Sequence, residues 1–136
     1  MPEAVVIAID PGRDKCGVAV VAADGVVLER AIVATSELGH AVATLVARHH
    51  ATAVVLGART GSREVRAAVA AAAPELPVHE IDEHMTTLLA RRRYWRETPP
   101  RGLWRLIPEG LRVPPEPVDD WAAVIIAERY LGVARQ

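Results

Sequence analysis

The chain has 136 residues, the size of one domain with a single hydrophobic core and no room for a second lobe. Apolar residues make up 51% and charged residues 24%, which excludes a disordered chain. With 16 Lys+Arg against 17 Asp+Glu, a uniformly basic nucleic-acid coat is excluded, though a local basic patch is not. Along the chain, residues 5–9 are apolar at every position, which predicts a strand buried on both faces and ending near Asp10. Pro11-Gly12 breaks it. Residues 16–22 predict a second strand, Asp24-Gly25 a tight hairpin turn, and residues 26–34 a third strand. Thr35 or Ser36 is then expected to cap a helix whose buried face is Leu38, Val42, Leu45 and Val46. His49-His50 fall in its last turn, where they suit the helix C-terminus electrostatically.

Residues 53–57 predict a short buried strand, 62–73 an Ala-rich helix stopped by Pro74, 78–81 a fifth strand and 86–96 a helix. Residues 98–117 carry six of the ten prolines and resist regular assignment, and the helical pattern returns over 118–131. A meander followed by alternating helices and strands implies an α/β architecture: one mixed five-stranded sheet with helices on both faces, in a single domain over 1–136.

Three groups of acids carry the chemistry. Asp10 ends a buried strand, where a carboxylate is costly unless it is paired or bound to a cation, and Gly12 lets the backbone approach a ligand. The plain alternative is a turn-forming Asp-Pro-Gly. Glu80, Asp82 and Glu83 lie at the end of the fifth strand; if the strand continues this far, Glu80 and Asp82 share one face, Ile81 and Glu83 the other, and alternation does not choose between them. Asp119-Asp120 open the last helix, where a cap would need only one aspartate, and Ala122-Ala123 would let that helix lie close to a sheet. No His/Cys cluster accompanies these acids, and hard oxygen donors select Mg²⁺ or Mn²⁺. Such an acidic cage commonly serves phosphate chemistry with two ions about 3.5–4 Å apart.

The run IDPGRDKCGVAV resembles the opening of the RuvC-like and YqgF-like nucleases of the ribonuclease H fold. DEHMTT resembles the YqgF-like Asp-Glu-Arg-x-Ser/Thr-Thr, and VDDWAAVIIAERYL the C-terminal Val-Asp-x-x-Ala-Ala helix. The resemblance implies a ribonuclease H-like fold and a metal-dependent nuclease holding Mg²⁺ or Mn²⁺ through Asp10, Glu83 and Asp119, with Asp82 and Asp120 as auxiliary acids. It implies a nucleic-acid partner, with structured RNA such as ribosomal RNA precursors expected ahead of branched DNA junctions. Related enzymes include monomers and dimers, so a homodimer stays open. Three features depart from the family pattern: His84 in place of Arg, a short 57–62 loop, and a Trp/Arg/Pro-rich insert at about 93–117. The opening also resembles actin-like ATPases, but those need a second lobe. A non-catalytic binding module of the same fold is the remaining rival, opposed by the complete acidic set.

Between Arg91 and Arg112 there are seven arginines and two acids, with Tyr94, Trp95 and Trp104 interleaved. Arginine grips phosphate bidentately and aromatics stack on unpaired bases, so Arg92, Arg96, Trp95, Trp104 and Arg105 are the expected substrate contacts. The alternative is a solvated helix face with Trp95 in the core. Gly61-Ser62, opening a helix after a strand, is a weaker phosphate-binding signal. The single cysteine, Cys16, excludes an internal disulfide framework and fits a reducing compartment as a small buried strand residue. No apolar run reaches the roughly 18–20 residues of a membrane span. No basic segment leads into an apolar run after Met1-Pro2-Glu3, so a cytoplasmic location without a membrane partner is expected.

Overall fold

The computed structural model describes residues 4–58, 62–108 and 111–133. β1 (Val5–Asp10), β2 (Lys15–Ala22) and β3 (Val27–Ala34) form the antiparallel meander. The Asp24-Gly25 turn closes through Gly25 at φ 91° and a hydrogen bond from the Val26 amide to Asp24 Oδ1 at 3.0 Å. β4 (Ala53–Ala58) joins parallel to β1, and β5 (Val78–Asp82) parallel to β4, giving the order β3-β2-β1-β4-β5.

β1 is therefore central, which explains why its sequence is apolar at every position. On one face Ile7, Ile9, Val18, Val20, Val54 and Leu56 pack with α1 (Leu38–His49) and α2 (Ser62–Ala72). On the other, Val6, Ala8, Ala19, Val21 and Val55 pack with α3 (Thr86–Glu97) and α4 (Asp119–Leu131). α4 is buried without a break from Asp120 to Glu128, because the sheet covers one side and α3 another. Ala122, Ala123 and Ala127 let its backbone approach the strands. No helix among the described residues is long and apolar enough to cross a membrane.

The helix starts differ from the sequence expectation. A 3₁₀ turn at Thr35–Glu37 precedes α1, which has no side-chain cap. The Thr35 hydroxyl instead donates to the Gly12 carbonyl at 2.9 Å and pins the turn after β1. α4 likewise begins after Val118 with no side-chain cap, so neither Asp119 nor Asp120 is spent on that role.

The basic insert begins later than residue 93. α3 continues to Glu97, and Arg93, Tyr94 and Trp95 are buried parts of it. Arg93 Nη1 donates to both Glu128 carboxylate oxygens at 2.9 Å, joining α3 to α4 in a buried ion pair. After Glu97 the chain forms a 3₁₀ turn at Gly102–Leu106. Arg112 staples the insert through Nε, which donates to the carbonyls of Trp104 (3.0 Å) and Ile107 (2.8 Å).

Candidate active site

The site assembles from one row of residues across the sheet. Asp10, the last residue of β1, is opposite Gly17 of β2. On the other side Ile9 is level with Leu56, so the next step sets Asp10 beside Gly57 of β4, and Gly57 is level with Ile81 of β5. Neighbouring strands are about 4.8 Å apart, so this row is narrow. Side chains alternate between faces, and Ala8 and Ala19, like Val55, belong to the α4 face. Asp10, Gly17 and Gly57 continue those series and turn toward α4.

β5 settles the choice among its acids by the same rule. Ile81 packs into the α4-side core and His79 meets the Tyr130 ring of α4 at 5.0 Å, so Glu83 follows them onto the α4 face. Glu80 points the other way and receives Arg66 of α2 at 2.8 Å. Asp82 accepts the His84 amide through Oδ1 at 3.0 Å and shapes the turn leaving β5. Of the three acids, Glu83 alone joins Asp10.

Each glycine makes space for another acid. A Cβ at Gly17 would overlap the Asp119 carbonyl oxygen, so α4 sets its first residue directly on β2. A Cβ at Gly57 would lie 2.5 Å from Glu83 Oε1, so the Glu83 side chain lies across β4. Asp10 thus stands between the helix start bearing Asp119 and the carboxylate of Glu83. Asp10 Oδ1 and Glu83 Oε1 are both shut off from solvent.

The two aspartates of α4 do different work. Asp120 is buried, with Oδ2 accepting from Arg30 Nη1 at 2.6 Å and Oδ1 from the Trp121 amide at 2.9 Å. Arg30 in turn lies over the Trp121 ring at 4.1 Å. Asp119 is half-buried, and the ammonium of Lys15 stands 3.6 Å from its Oδ2. Asp119 is thus the α4 acid that stands over Gly17, and Asp120 holds α4 to β3.

Sequence reasoning missed Lys15, Gly17 and Gly57. Lys15 had a signal, since it is the single lysine among 16 cations. The glycines had none, because their role depends on which chain segments lie above them.

Among the described residues, no three acid, histidine or cysteine side chains are already gathered tightly enough to hold a metal ion. The donor set nonetheless fits Mg²⁺ or Mn²⁺. It offers carboxylates only, two of them with buried oxygens, and one already beside a cation.

The expected substrate contacts divide. Arg92 and Arg96 are exposed on α3, and Arg105 is exposed in the insert. α3 leaves the Glu83 turn at Thr86, so its rise of 1.5 Å per residue sets Arg92 and Arg96 about 9 and 15 Å further along. Trp95 is buried against the core, and its indole N–H donates to the Arg112 carbonyl at 3.4 Å. It therefore anchors the insert and is out of reach of a base. Trp104 leans on Trp95 with ring centres 5.6 Å apart and is 36% exposed, leaving one surface open. Gly61 lies outside the described residues.

No protein-family model matches the sequence, and no curated protein does. Solved structures do match. RuvC of Thermus thermophilus, solved in complex with a Holliday junction substrate, is 24% identical with a TM-score of 0.59, covering 96% of this chain and 98% of that one. A second Thermus thermophilus RuvC structure is 23% identical with a TM-score of 0.60 and the same coverage. The chain has a RuvC-like fold. The likeness runs nearly end to end in both chains, so the insert after α3 is accommodated within RuvC-like dimensions.

Proposed function

We propose that this chain is a metal-dependent nuclease that hydrolyses phosphodiester bonds in branched or structured nucleic acid. The observation that supports the reading is that Gly17 and Gly57, in the same row of the sheet as Asp10, leave space over which the Asp119 backbone and the Glu83 side chain lie. Asp10, Glu83 and Asp119 are the residues that would hold the metal. Bound there, Mg²⁺ or Mn²⁺ would supply water activation and stabilisation of the leaving oxygen. The protein's own part is to hold three carboxylates in fixed places against their mutual repulsion. Arg92, Arg96 and Arg105 supply phosphate contacts along α3 and the insert, and Trp104 offers a stacking surface.

Branched DNA is the first substrate class, favoured by Asp10-Pro11-Gly12 and by a structural neighbour solved on a Holliday junction. Structured RNA is the second, favoured by the DEHMTT run. The test is cleavage of labelled four-way DNA junctions, matched duplexes and structured RNAs in Mn²⁺, in Mg²⁺ and in chelator. Metal-dependent cuts at the junction centre are expected. Cleavage of the RNAs alone would move the assignment to RNA processing, and tight binding without cleavage would leave a non-catalytic module.

A further inference from the structure

Glu83 sits in a turn that joins β5 to α3, and this turn is wired from two directions. From within, the Thr86 amide and hydroxyl both donate to the Glu83 carbonyl at 3.0 Å, and the His84 amide donates to Asp82 Oδ1. From outside comes Arg129, in the last turn of α4. Its Nη1 donates to the Asp82 carbonyl at 2.7 Å and its Nη2 to the His84 carbonyl at 2.5 Å. The two carbonyls straddle Glu83, so one planar guanidinium spans the backbone on both sides of the acid. Tyr130, next in sequence, packs on His79 of β5 and fixes the end of α4 against the same strand.

We infer that Arg129 is a positioning residue for Glu83, and that α4 sets two of the three acids at once. Asp119 is its first residue, and Arg129, ten residues on, holds the turn that carries Glu83. The inference rests on the metal-site reading above. A planar fork is suited to two carbonyls, whereas a lysine can serve one at a time. Loss of groups that orient metal-binding side chains typically costs about 10–100-fold in metal affinity. The hydrogen bonds of Arg129 go to the backbone on either side of Glu83, so its effect is expected to pass through that acid.

The experiment is calorimetric titration of Mn²⁺ into wild type, Arg129→Lys, Arg129→Gln, Glu83→Gln and the Arg129→Gln/Glu83→Gln double variant. Amide hydrogen exchange of His84 and Thr86 is followed on the same samples. Arg129→Gln is expected to weaken Mn²⁺ binding about tenfold or more, Arg129→Lys by less, and both to speed exchange at these amides while melting close to wild type. In the Glu83→Gln background, Arg129→Gln should change nothing further. Equal Mn²⁺ affinity in wild type and Arg129→Gln overturns the inference, as does an equal loss in the Glu83→Gln background. If wild type binds no Mn²⁺, the metal reading is what fails, and exchange alone decides. Faster exchange at His84 and Thr86 in Arg129→Gln then upholds the positioning role, and unchanged exchange overturns it.

Discussion

Gly17 and Gly57 flank Asp10 in the same row, yet a methyl group added at each meets a different obstacle. At Gly57 it meets the end of the Glu83 side chain, which can swing aside. Gly57→Ala should therefore keep most of the melting temperature and lose most of the cleavage. At Gly17 it meets the Asp119 backbone, which α4 holds in place. Gly17→Ala should cost about 1–3 kcal/mol of stability, as overpacking does, because the whole helix must lift. Denaturant melts and cleavage rates measured on both variants check the pair of outcomes. The two aspartates of α4 separate in the same way. Asp119→Asn should cut cleavage severely and leave the fold intact. Asp120→Asn should mainly lower the melting temperature, because Oδ2 is engaged by Arg30. If Asp120→Asn were the more damaging to cleavage, α4 would be rotated from the placement described.

α4 is the element on which the site depends, and its burial brings a charge with it. Glu128 and Arg93 are both nearly inaccessible, and removing Glu128 takes from the buried Arg93 its bidentate partner, leaving it the half-exposed Glu97 carboxylate 3.1 Å from Nε. Glu128→Leu alone should cost about 3–5 kcal/mol, whereas Glu128→Leu with Arg93→Met should recover much of that loss. Urea unfolding of the two variants makes the comparison. On the opposite face, Glu29 of β3 receives Arg48 and His49 from the end of α1 at 2.8 Å each. The His49 and Arg48 hydrogen bonds hold the Glu29 carboxyl below its ordinary value of 4.5. A depressed folded pKa stabilises the fold above the unfolded value, and that contribution is lost as pH falls through the folded one. The melting-temperature gap between wild type and Glu29→Gln should thus be widest near neutrality and shrink as acid protonates the carboxyl.

These elements show which parts of the molecule its sequence discloses. The central strand was legible because burial on both faces removes alternation, and the hairpin because Asp24-Gly25 permits few other turns. The places of Asp10 at a strand end and of Asp119 at a helix start were legible, while their role as metal-holding acids remains the proposal made above. The choice of Glu83 over Glu80 and Asp82 was not legible in alternation, since a period of two is symmetric until α4 covers one face. Trp95 misled as a stacking residue because an exposed and a buried tryptophan look alike beside arginines. Arg93 was one of those arginines, and its partner Glu128 lies 35 positions away.

At the scale of the whole chain, a net charge of -1 requires that any nucleic-acid surface be local. The exposed arginines of α3 and the insert are the local basic patch that the proposed function uses. Arg92→Ala with Arg96→Ala should weaken binding and flatten its salt dependence, since fewer counterions are released. Trp104→Ala should cost roughly 1–3 kcal/mol on single-stranded flanks and less on paired ones. Both are read by binding titrations at two salt concentrations in the Asp10→Asn background. The central claim, however, concerns the acids, and a single measurement addresses it most directly: the Mn²⁺-dependent cleavage rate of a four-way junction by wild type and by Asp10→Asn. The account predicts cuts that require the metal and all but vanish in Asp10→Asn, with the two proteins binding the junction equally well. Cleavage that persists in chelator, or that survives Asp10→Asn, would contradict it.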